Sequence, residues 1–345
     1  MMNLTRKRSV LKDCLNCNRN EYEMKVNPVT YVNEREKQLT TIELRNGVKM
    51  PLLGIGTSHS GGYSHNAVVY ALKKCGYRLI DTAKRYGCEI FLKDAIKESG
   101  VNREDIFLTT KLWPTDYGSV STRKAFYEAM ERLGVDYLDL FMLHWPLCPS
   151  TCSDKWNLLH DTWRTLECLL DEGRISAIGV SNCNIDDLVK FQENCTIVPH
   201  VNQVEFHPYH NPKDLRDYCN EYKIQFEGYC PLGKGKLLKE MPIIEVAKRC
   251  NRTPAQVLIR WSIQNEVITI PKSTKIERVK ENSMVFDFVI PEKEMIILNN
   301  LNENRRYIDI SNMQYKIDNP QPDGYKLKMI ADNGEEKLYY RNHRK

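Results

Sequence analysis

Short apolar runs that end in polar residues alternate with segments of helical periodicity over most of the chain. The predicted strands are Leu52–Gly56, Tyr77–Asp81, Ile106–Lys111, Tyr137–His144, Ile178–Ser181, Val201–Glu205, Gln225–Tyr229 and Val267–Pro271. Between them, apolar residues recur on one helix face, for example in Val120–Leu133, Lys155–Leu170 and Met241–Cys250. Eight such alternations with no antiparallel run predict an α/β protein, a closed parallel (β/α)8 barrel of the TIM type.

The two ends of the chain do not follow this alternation. Residues 1–40 are polar and lack a sustained apolar period, so we expect a largely disordered extension there. Asn46-Gly47, between two short alternating runs, predicts an N-terminal β-hairpin with a type I′ turn. We therefore divide the chain into an extension at 1–40, a barrel at 41–307 and a divergent, poorly structured C-terminal tail at 308–345.

Composition and charge narrow the class of protein. The 345 residues are 41% hydrophobic and 28% charged, which is ordinary for a globular protein with a full core. No apolar stretch approaches the ~20 residues that cross a bilayer, so a membrane protein is not expected. The formal net charge of +5 lies in the tails, because residues 1–25 carry +3, residues 321–345 carry +2 and residues 26–320 are neutral overall. This distribution argues against a nucleic-acid-binding face.

Cysteine and histidine usage indicates a reduced protein without a metal. Of the twelve cysteines only Cys14 and Cys17 have CxxC spacing, and no second pair completes a zinc site. His207 and His210 flank a proline, which fits no helical ligand spacing. No secretory hydrophobic region begins the chain, so we expect a cytoplasmic protein, with a transit peptide in the basic residues 1–12 as the alternative.

Titratable residues fall at the ends of successive predicted strands, which in a barrel meet at one rim. Asp81, Lys111 and His144 end three strands, and Tyr86 follows the first of these. Hydride reduction of a carbonyl leaves an alkoxide that needs a proton, and a free Tyr with a pKa of about 10 is a reluctant donor. We expect Lys111 to stabilise the phenolate of Tyr86, Asp81 to hold Lys111, and His144 to orient the carbonyl. Singly, each residue also has a structural interpretation; together they favour catalysis.

Longer stretches around these residues are similar to a known family. They are GIGTS at 54–58, RLIDTAKRYGCE at 78–89, TTKLW at 109–113, LGVDYLDLFMLHWP at 133–146, IGVSN at 178–182, VNQVEFHP at 201–208, YCPLGKG at 229–235 and IPKSTKIERVKEN at 270–282. On these motifs the chain resembles the aldo-keto reductase family, and around YGCE and LWPTDYG its glyoxal- and methylglyoxal-reducing members. The family's catalytic tetrad falls on Asp81, Tyr86, Lys111 and His144.

The resemblance implies a nicotinamide cofactor site. The positions implied to contact the cofactor are Thr57, Asp81, Ser181, Asn182, Gln203, Tyr229, Leu232, Lys234, Lys272, Ser273, Arg278, Glu281 and Asn282. A lysine, a hydroxyl and an arginine near a helix start suit a phosphate dianion, which favours NADPH/NADP+ over NADH. Cys230 and Lys234 stand where the family often has serine, and Lys234 is either a pyrophosphate contact or a solvated loop residue. No GxGxxG motif is present.

The substrate side is less well determined by sequence. The resemblance implies contacts from Ser58, Arg85, Trp113 and His144. Arg85 would favour anionic or dicarbonyl substrates if it faces the pocket, and otherwise points to solvent; Trp113 contacts substrate or packs beneath the loop. The tail after Tyr307 does not match the family's C-terminal loop, so substrate choice does not carry over.

The activity expected from these residues is NADPH-dependent reduction of aldehydes or reactive ketones, small dicarbonyls included, with Tyr86 as general acid. We therefore expect an oxidoreductase of the aldehyde reductase, or alcohol dehydrogenase (NADP+), class. The alternative is a regulatory or interaction subunit with the reductase fold that binds NADPH with little turnover. We expect a monomer whose partner is a small carbonyl compound.

Overall fold

The computed structural model describes residues 40–58, 61–319, 326–331 and 333–340. In chain order the strands are β1 (Thr41–Glu43), β2 (Lys49–Pro51), β3 (Gly54–Gly56), β4 (Leu79–Asp81), β5 (Phe107–Leu112), β6 (Leu138–Leu143), β7 (Ile175–Ser181), β8 (Val201–Glu205), β9 (Gln225–Tyr229), β10 (Ile268–Thr269), β11 (Lys326–Ile330) and β12 (Glu336–Tyr340). The predictions for residues 1–39, including Cys14, Cys17 and the transit peptide, lie outside the described residues.

Strands β3 to β10 form one sheet in which each strand pairs in parallel with the next along the chain. A parallel bridge between Leu53 and Thr269 joins the first strand to the last, and Gly56 N donates to Pro271 O at 3.2 Å beside it. The predicted (β/α)8 barrel is confirmed. Since all eight strands run the same way, their carboxyl ends open on one rim.

Helices connect the strands and cover the outside of the barrel. They are α1 (His65–Lys74), α2 (Glu89–Ser99), α3 (Ser119–Leu133), α4 (Lys155–Asp171), α5 (Ile185–Gln192), α6 (Lys213–Glu221), α7 (Met241–Arg249), α8 (Pro254–Gln264), α9 (Ile276–Ser283), α10 (Glu292–Asn299) and α11 (Met313–Asp318). In α4, Leu159, Trp163 and Leu166 lie on one face and are buried. Each such side chain contributes about 1.5–3 kcal/mol, so the apolar stripe fixes the helix against the sheet. In the described part of the chain, no helix combines the length and apolar character needed to span a bilayer.

Local sequence sets where α8 begins. Thr253 precedes it, and its side chain accepts from Gln256 N while Gln256 accepts from Thr253 N. Pro254 takes the first helical position, where a missing N–H costs nothing. This capping stabilises α8, whose Trp261 is buried against Phe206 at a ring separation of 4.6 Å.

The N-terminal hairpin is present, but its predicted type I′ turn is wrong. Strands β1 and β2 pair antiparallel, and Leu44 N donates to Val48 O at 2.8 Å to close the loop. Three residues lie inside that pair, and among them only Gly47 has a positive φ, 83°, whereas a type I′ turn requires two. With three loop residues instead of two, Asn46 does not need a left-handed conformation. The side-chain amide of Asn46 donates to Ser176 O at 2.9 Å.

The expectation of a poorly structured C-terminal tail is corrected by its described residues. They form helix α11 and the antiparallel pair β11–β12. Tyr63 N donates to Lys328 O, and Ile330 N to Tyr63 O, both at 2.7 Å, so β11 is fastened to the loop that follows β3. Leu327 is buried at this junction. Contact with the barrel therefore orders a segment whose own composition is polar.

Candidate active site

The four predicted tetrad residues come together at the carboxyl rim. Asp81 is the last residue of β4, Lys111 is the last but one of β5, and His144 follows β6 directly. Asp81 is the register partner of Thr109, two residues before Lys111, so Asp81 and Lys111 share the inner face of the barrel. The strand register thus brings together residues that are far apart in the chain.

Asp81 and Lys111 form a buried ion pair. Lys111 Nζ lies 2.5 Å from Asp81 Oδ2 and also donates to Thr82 O at 3.1 Å. Gln203 Nε2 donates to the same carboxylate oxygen at 2.9 Å from the opposite side of the barrel. A buried ion pair is tolerated only when further hydrogen bonds compensate the lost hydration, and these contacts supply them. The ammonium is consequently held at a fixed position.

Tyr86 is placed by a short turn between β4 and α2. Lys84–Tyr86 forms one 3₁₀ turn, closed by Gly87 with a φ of 74°. The Tyr86 ring centre lies 5.2 Å from Lys111 Nζ and 5.7 Å from the His144 ring, which it meets edge-on. A nearby ammonium such as Lys111 favours the phenolate of Tyr86 and would lower its pKa. Loss of hydration by burial, and then the negative charge of Asp81, instead raise the pKa of Tyr86 well above its usual value. Tyr86 is therefore held in its protonated form.

His144 lies between Tyr86 and two tryptophans. Its backbone N–H donates to Leu112 O at 3.0 Å, and its carbonyl accepts from Asn182 Nδ2 at 3.0 Å. The ring meets Trp113 edge-on at 5.3 Å. The Arg85 guanidinium carbon lies 4.9 Å from the Trp113 ring centre, so Arg85 contacts the ring that also meets His144.

A second group of polar residues follows β7, β8 and β9. Ser181 Oγ donates to Gln203 O at 2.8 Å, and Tyr229 Oη donates to Asn182 Oδ1 at 2.8 Å. Asn182 has a φ of 63°, a conformation uncommon outside glycine that asparagine tolerates better than most residues. The hydrogen bonds hold these side chains as one connected unit next to Gln203 and the Asp81 carboxylate.

The third group lies after β10 and along α9. Burial lowers the pKa of Lys272 to about 8. Ser273 Oγ accepts from Lys275 N at 3.1 Å and so shapes the turn that leads into α9. Arg278 is exposed on α9, Glu281 is half-buried and Asn282 is buried. A lysine and a hydroxyl at the start of a helix, with an arginine one turn further, are the groups that bind phosphate.

Loops complete the rim. Thr57 Oγ1 donates to Asp81 O at 2.9 Å, and Ser58 follows it. Leu232 packs against the core, whereas Lys234 is exposed in the Gly233–Gly235 turn with a φ of 57°. All the predicted site residues therefore lie on the carboxyl rim, on the loops that follow it or along α9.

Sequence reasoning missed Glu227 as a member of this site. It lies in β9 as the register partner of Gln203 and is fully buried. Burial, and then the charge of Asp81, raise the pKa of Glu227 to about 8. An acidic residue inside the run QFEGY was the available signal, because charged residues are rarely buried without a role.

No group of three or more His, Cys, Asp or Glu residues is arranged to hold a metal among the residues that the structure describes. His207 and His210 instead form a tight turn, with backbone hydrogen bonds in both directions. The Glu205 carboxylate accepts from Tyr307 N at 2.6 Å and lies 3.2 Å from His207 Nε2, so this pair anchors the start of the tail.

The model of the Aldo/keto reductase family matches residues 52–303, which is most of the chain. The chain belongs to the aldo/keto reductase family. It is therefore placed among oxidoreductases that reduce carbonyl groups. An uncharacterized oxidoreductase of Caenorhabditis elegans is 47% identical over 290 residues, covering 84% of this chain and 89% of that protein. Glyoxal reductase of Bacillus subtilis is 44% identical over 268 residues, which cover 77% of this chain and 94% of that protein.

Solved structures of this family share the barrel. A Bombyx mori aldo-keto reductase in complex with NADP superposes with a TM-score of 0.74 at 30% sequence identity, covering 79% of this chain and 96% of that one. Members of this family are thus solved with the nicotinamide cofactor that the sequence resemblance implies.

Proposed function

We propose that this protein reduces aldehydes or reactive ketones, small dicarbonyls included, to alcohols with NADPH, and that Tyr86 is the proton donor. The observation that carries the proposal is the position of Tyr86, with Lys111 Nζ 5.2 Å from its ring centre and the His144 ring 5.7 Å away. A proton donor flanked by a fixed cation and an imidazole suits the protonation of a developing alkoxide.

Each tetrad residue has a separate task in this proposal. When bound, the nicotinamide supplies the hydride. Tyr86, kept protonated by its raised pKa, gives its proton to the alkoxide oxygen. Lys111 then stabilises the phenolate that remains, and Asp81 holds the Lys111 ammonium in position through the 2.5 Å ion pair. His144 orients the carbonyl oxygen towards Tyr86.

The chain's own residues fit NADPH. Ser181, Asn182 and Gln203 form a connected amide and hydroxyl unit suited to a carboxamide, and Tyr229 offers a ring beside it. Lys272 and Ser273 precede α9, where a 2′-phosphate dianion would meet positive charge and helix N–H groups. Gly61 lies next to Lys272, since a Cβ at this position would be 3.2 Å from Lys272 Nζ. Arg278, Glu281 and Asn282 would then face the adenosine end, with Leu232, Lys234 and Thr57 along the middle.

For substrate, we propose that Ser58, Arg85, Trp113 and His144 line the pocket. The similarity to Glyoxal reductase of Bacillus subtilis supports small dicarbonyls as a first class to test. A cytoplasmic location and a monomeric state stay predictions.

The test is NADPH oxidation followed by absorbance, with methylglyoxal, an aromatic aldehyde and a steroid ketone. Tyr86→Phe should lose about 10²- to 10⁴-fold in kcat, the range of general acid catalysis, while NADPH fluorescence shows unchanged binding. Tyr222→Phe, which changes a partly exposed tyrosine after α6, is the control and should keep full activity. Tight NADPH binding without turnover of any substrate by the unmodified protein would overturn the proposal and favour a regulatory subunit.

A further inference from the structure

Two consecutive cations precede Tyr86, and the structure separates their roles. Lys84 Nζ donates to both carboxylate oxygens of Asp116, at 3.0 and 2.8 Å. That ion pair joins the turn before Tyr86 to the turn after Trp113 and neutralises the carboxylate of Asp116. Arg85 instead lies over the indole of Trp113, at 4.9 Å from the ring centre. These two consecutive cations therefore contact different groups, Lys84 the carboxylate of Asp116 and Arg85 the ring of Trp113.

The geometry of Arg85 suits recognition of an anion. A guanidinium that lies over an aromatic ring uses its face for the contact, while its N–H donors lie in the plane and match a carboxylate in a bidentate manner. Stacking also reduces the side-chain freedom that would be lost on binding. Arg85 is half-buried, so part of its surface remains open to solvent.

Trp113 connects Arg85 to the reacting end of the site. Its ring meets His144 at 5.3 Å on one side and Arg85 at 4.9 Å on another. Trp113 is buried, and its Nε1 has no hydrogen-bond partner among the described residues. An unpaired buried donor beside a cation is a place where an incoming oxygen atom would be stabilised.

We propose that Arg85 forms an anion subsite next to the carbonyl site, and that the preferred substrates carry a carboxylate on the carbonyl compound, as oxo acids and formyl carboxylates do. This rests on the proposed reductase function and names its substrate class. The aldehyde or ketone oxygen lies at Tyr86 and His144, and the carboxylate reaches past Trp113 to Arg85.

A matched pair of substrates tests the subsite. para-Carboxybenzaldehyde and methyl para-formylbenzoate present the same aldehyde and ring, and differ in charge at the far end. Arg85→Met retains an apolar side chain over Trp113 but removes the charge. We expect its kcat/KM for the carboxylate to fall about 10- to 100-fold, as loss of a charge-assisted hydrogen bond predicts, with the ester changed less than about 3-fold.

Controls separate a subsite from a packing role. Arg174→Met removes the same charge from an exposed position before β7, at the opposite end of the barrel, and should leave both substrates unaffected. Arg85→Lys should recover part of the selectivity. An equal loss of kcat/KM with both substrates in Arg85→Met would overturn the proposal, because Arg85 would then only support the packing of Trp113. Unchanged kcat/KM with both substrates would overturn it as well.

A binding measurement keeps the result distinct from failure of the reductase proposal. Calorimetric titration of benzoate into the protein saturated with NADP+ should show binding that Arg85→Met weakens about 10-fold or more. Equal benzoate affinity in the two proteins overturns the anion subsite. Lack of turnover of every aldehyde by the unmodified protein, with benzoate binding still dependent on Arg85, would instead count against the proposed function alone.

Discussion

Gln203 Nε2 donates to Asp81 Oδ2 across the barrel at 2.9 Å, and the same oxygen accepts a hydrogen bond from Lys111 Nζ. This contact links β8 to β4, two strands that are not neighbours in the sheet. One carboxylate oxygen therefore joins the group proposed for proton transfer to the group proposed for the cofactor.

Gln203→Leu should destabilise the protein in the absence of cofactor. The substitution removes a donor from a buried carboxylate, which costs about 1–3 kcal/mol in the free energy of unfolding. Urea unfolding followed by circular dichroism measures it. Gln192→Leu, which removes a neutral hydrogen bond with Tyr218 outside the barrel, is the control and should cost less. Equal stability of Gln203→Leu and the unmodified protein would contradict the role given to this contact.

Glu227 should make the protein less stable as pH rises. Its pKa is raised to about 8 in the folded protein, whereas an unfolded Glu titrates near 4.3. Between these two values the folded state retains a proton that the unfolded state has released, so the free energy of unfolding falls with increasing pH and levels off above about pH 8. Urea unfolding between about pH 5 and about pH 9 measures the slope.

Glu227→Gln should flatten that slope and raise stability at the alkaline end, because a neutral amide cannot ionise. Glu221→Gln, an exposed change at the end of α6, is the matched control and should leave the slope unchanged. The assignment would be contradicted by an identical slope in Glu227→Gln and the unmodified protein.

The affinity for NADPH, relative to that for NADH, should fall as pH rises through about 8. Burial lowers the pKa of Lys272 to about 8, so the free protein loses this positive charge over that range. NADH lacks the 2′-phosphate, and its affinity should depend less on pH. The ratio of the two dissociation constants, obtained by fluorescence titration, reports the difference, and Lys272→Met should remove it. A ratio independent of pH would refute the assignment of Lys272 to the phosphate.

The C-terminal hairpin should undock when Leu327 is shortened. Leu327 is buried, and Leu→Ala at such a position costs about 2–5 kcal/mol. Leu327→Ala should therefore speed hydrogen exchange at the amides of Tyr63 and Ile330, which bond across this junction. Leu338→Ala, at a position 57% exposed on the partner strand, is the control. Equal exchange in the two variants would show that the hairpin is held by other contacts.

The sequence indicated the barrel and its rim because both depend on local patterns. Strand ends at Asp81 and Ser181, and the strands Val201–Glu205 and Gln225–Tyr229, agree with the structure because short apolar runs between helical segments are a short-range signal. Other boundaries moved: β7 begins at Ile175 and β10 is reduced to Ile268–Thr269, since pairing with neighbouring strands sets where hydrogen bonding begins and ends.

The sequence by itself determined the order of strands and helices, the family resemblance and the identity of the residues at the rim, since periodicity and motif spacing are properties of neighbouring residues. Tertiary structure alone decided three things that depend on distant contacts. Leu327 is buried because Tyr63, far earlier in the chain, pairs with its strand. The pKa values of Tyr86 and Glu227 rise because burial removes the hydration of their charged forms, and the extent of burial depends on the packing of distant segments. Arg85 lies over Trp113 because two loops from different strands meet at the rim.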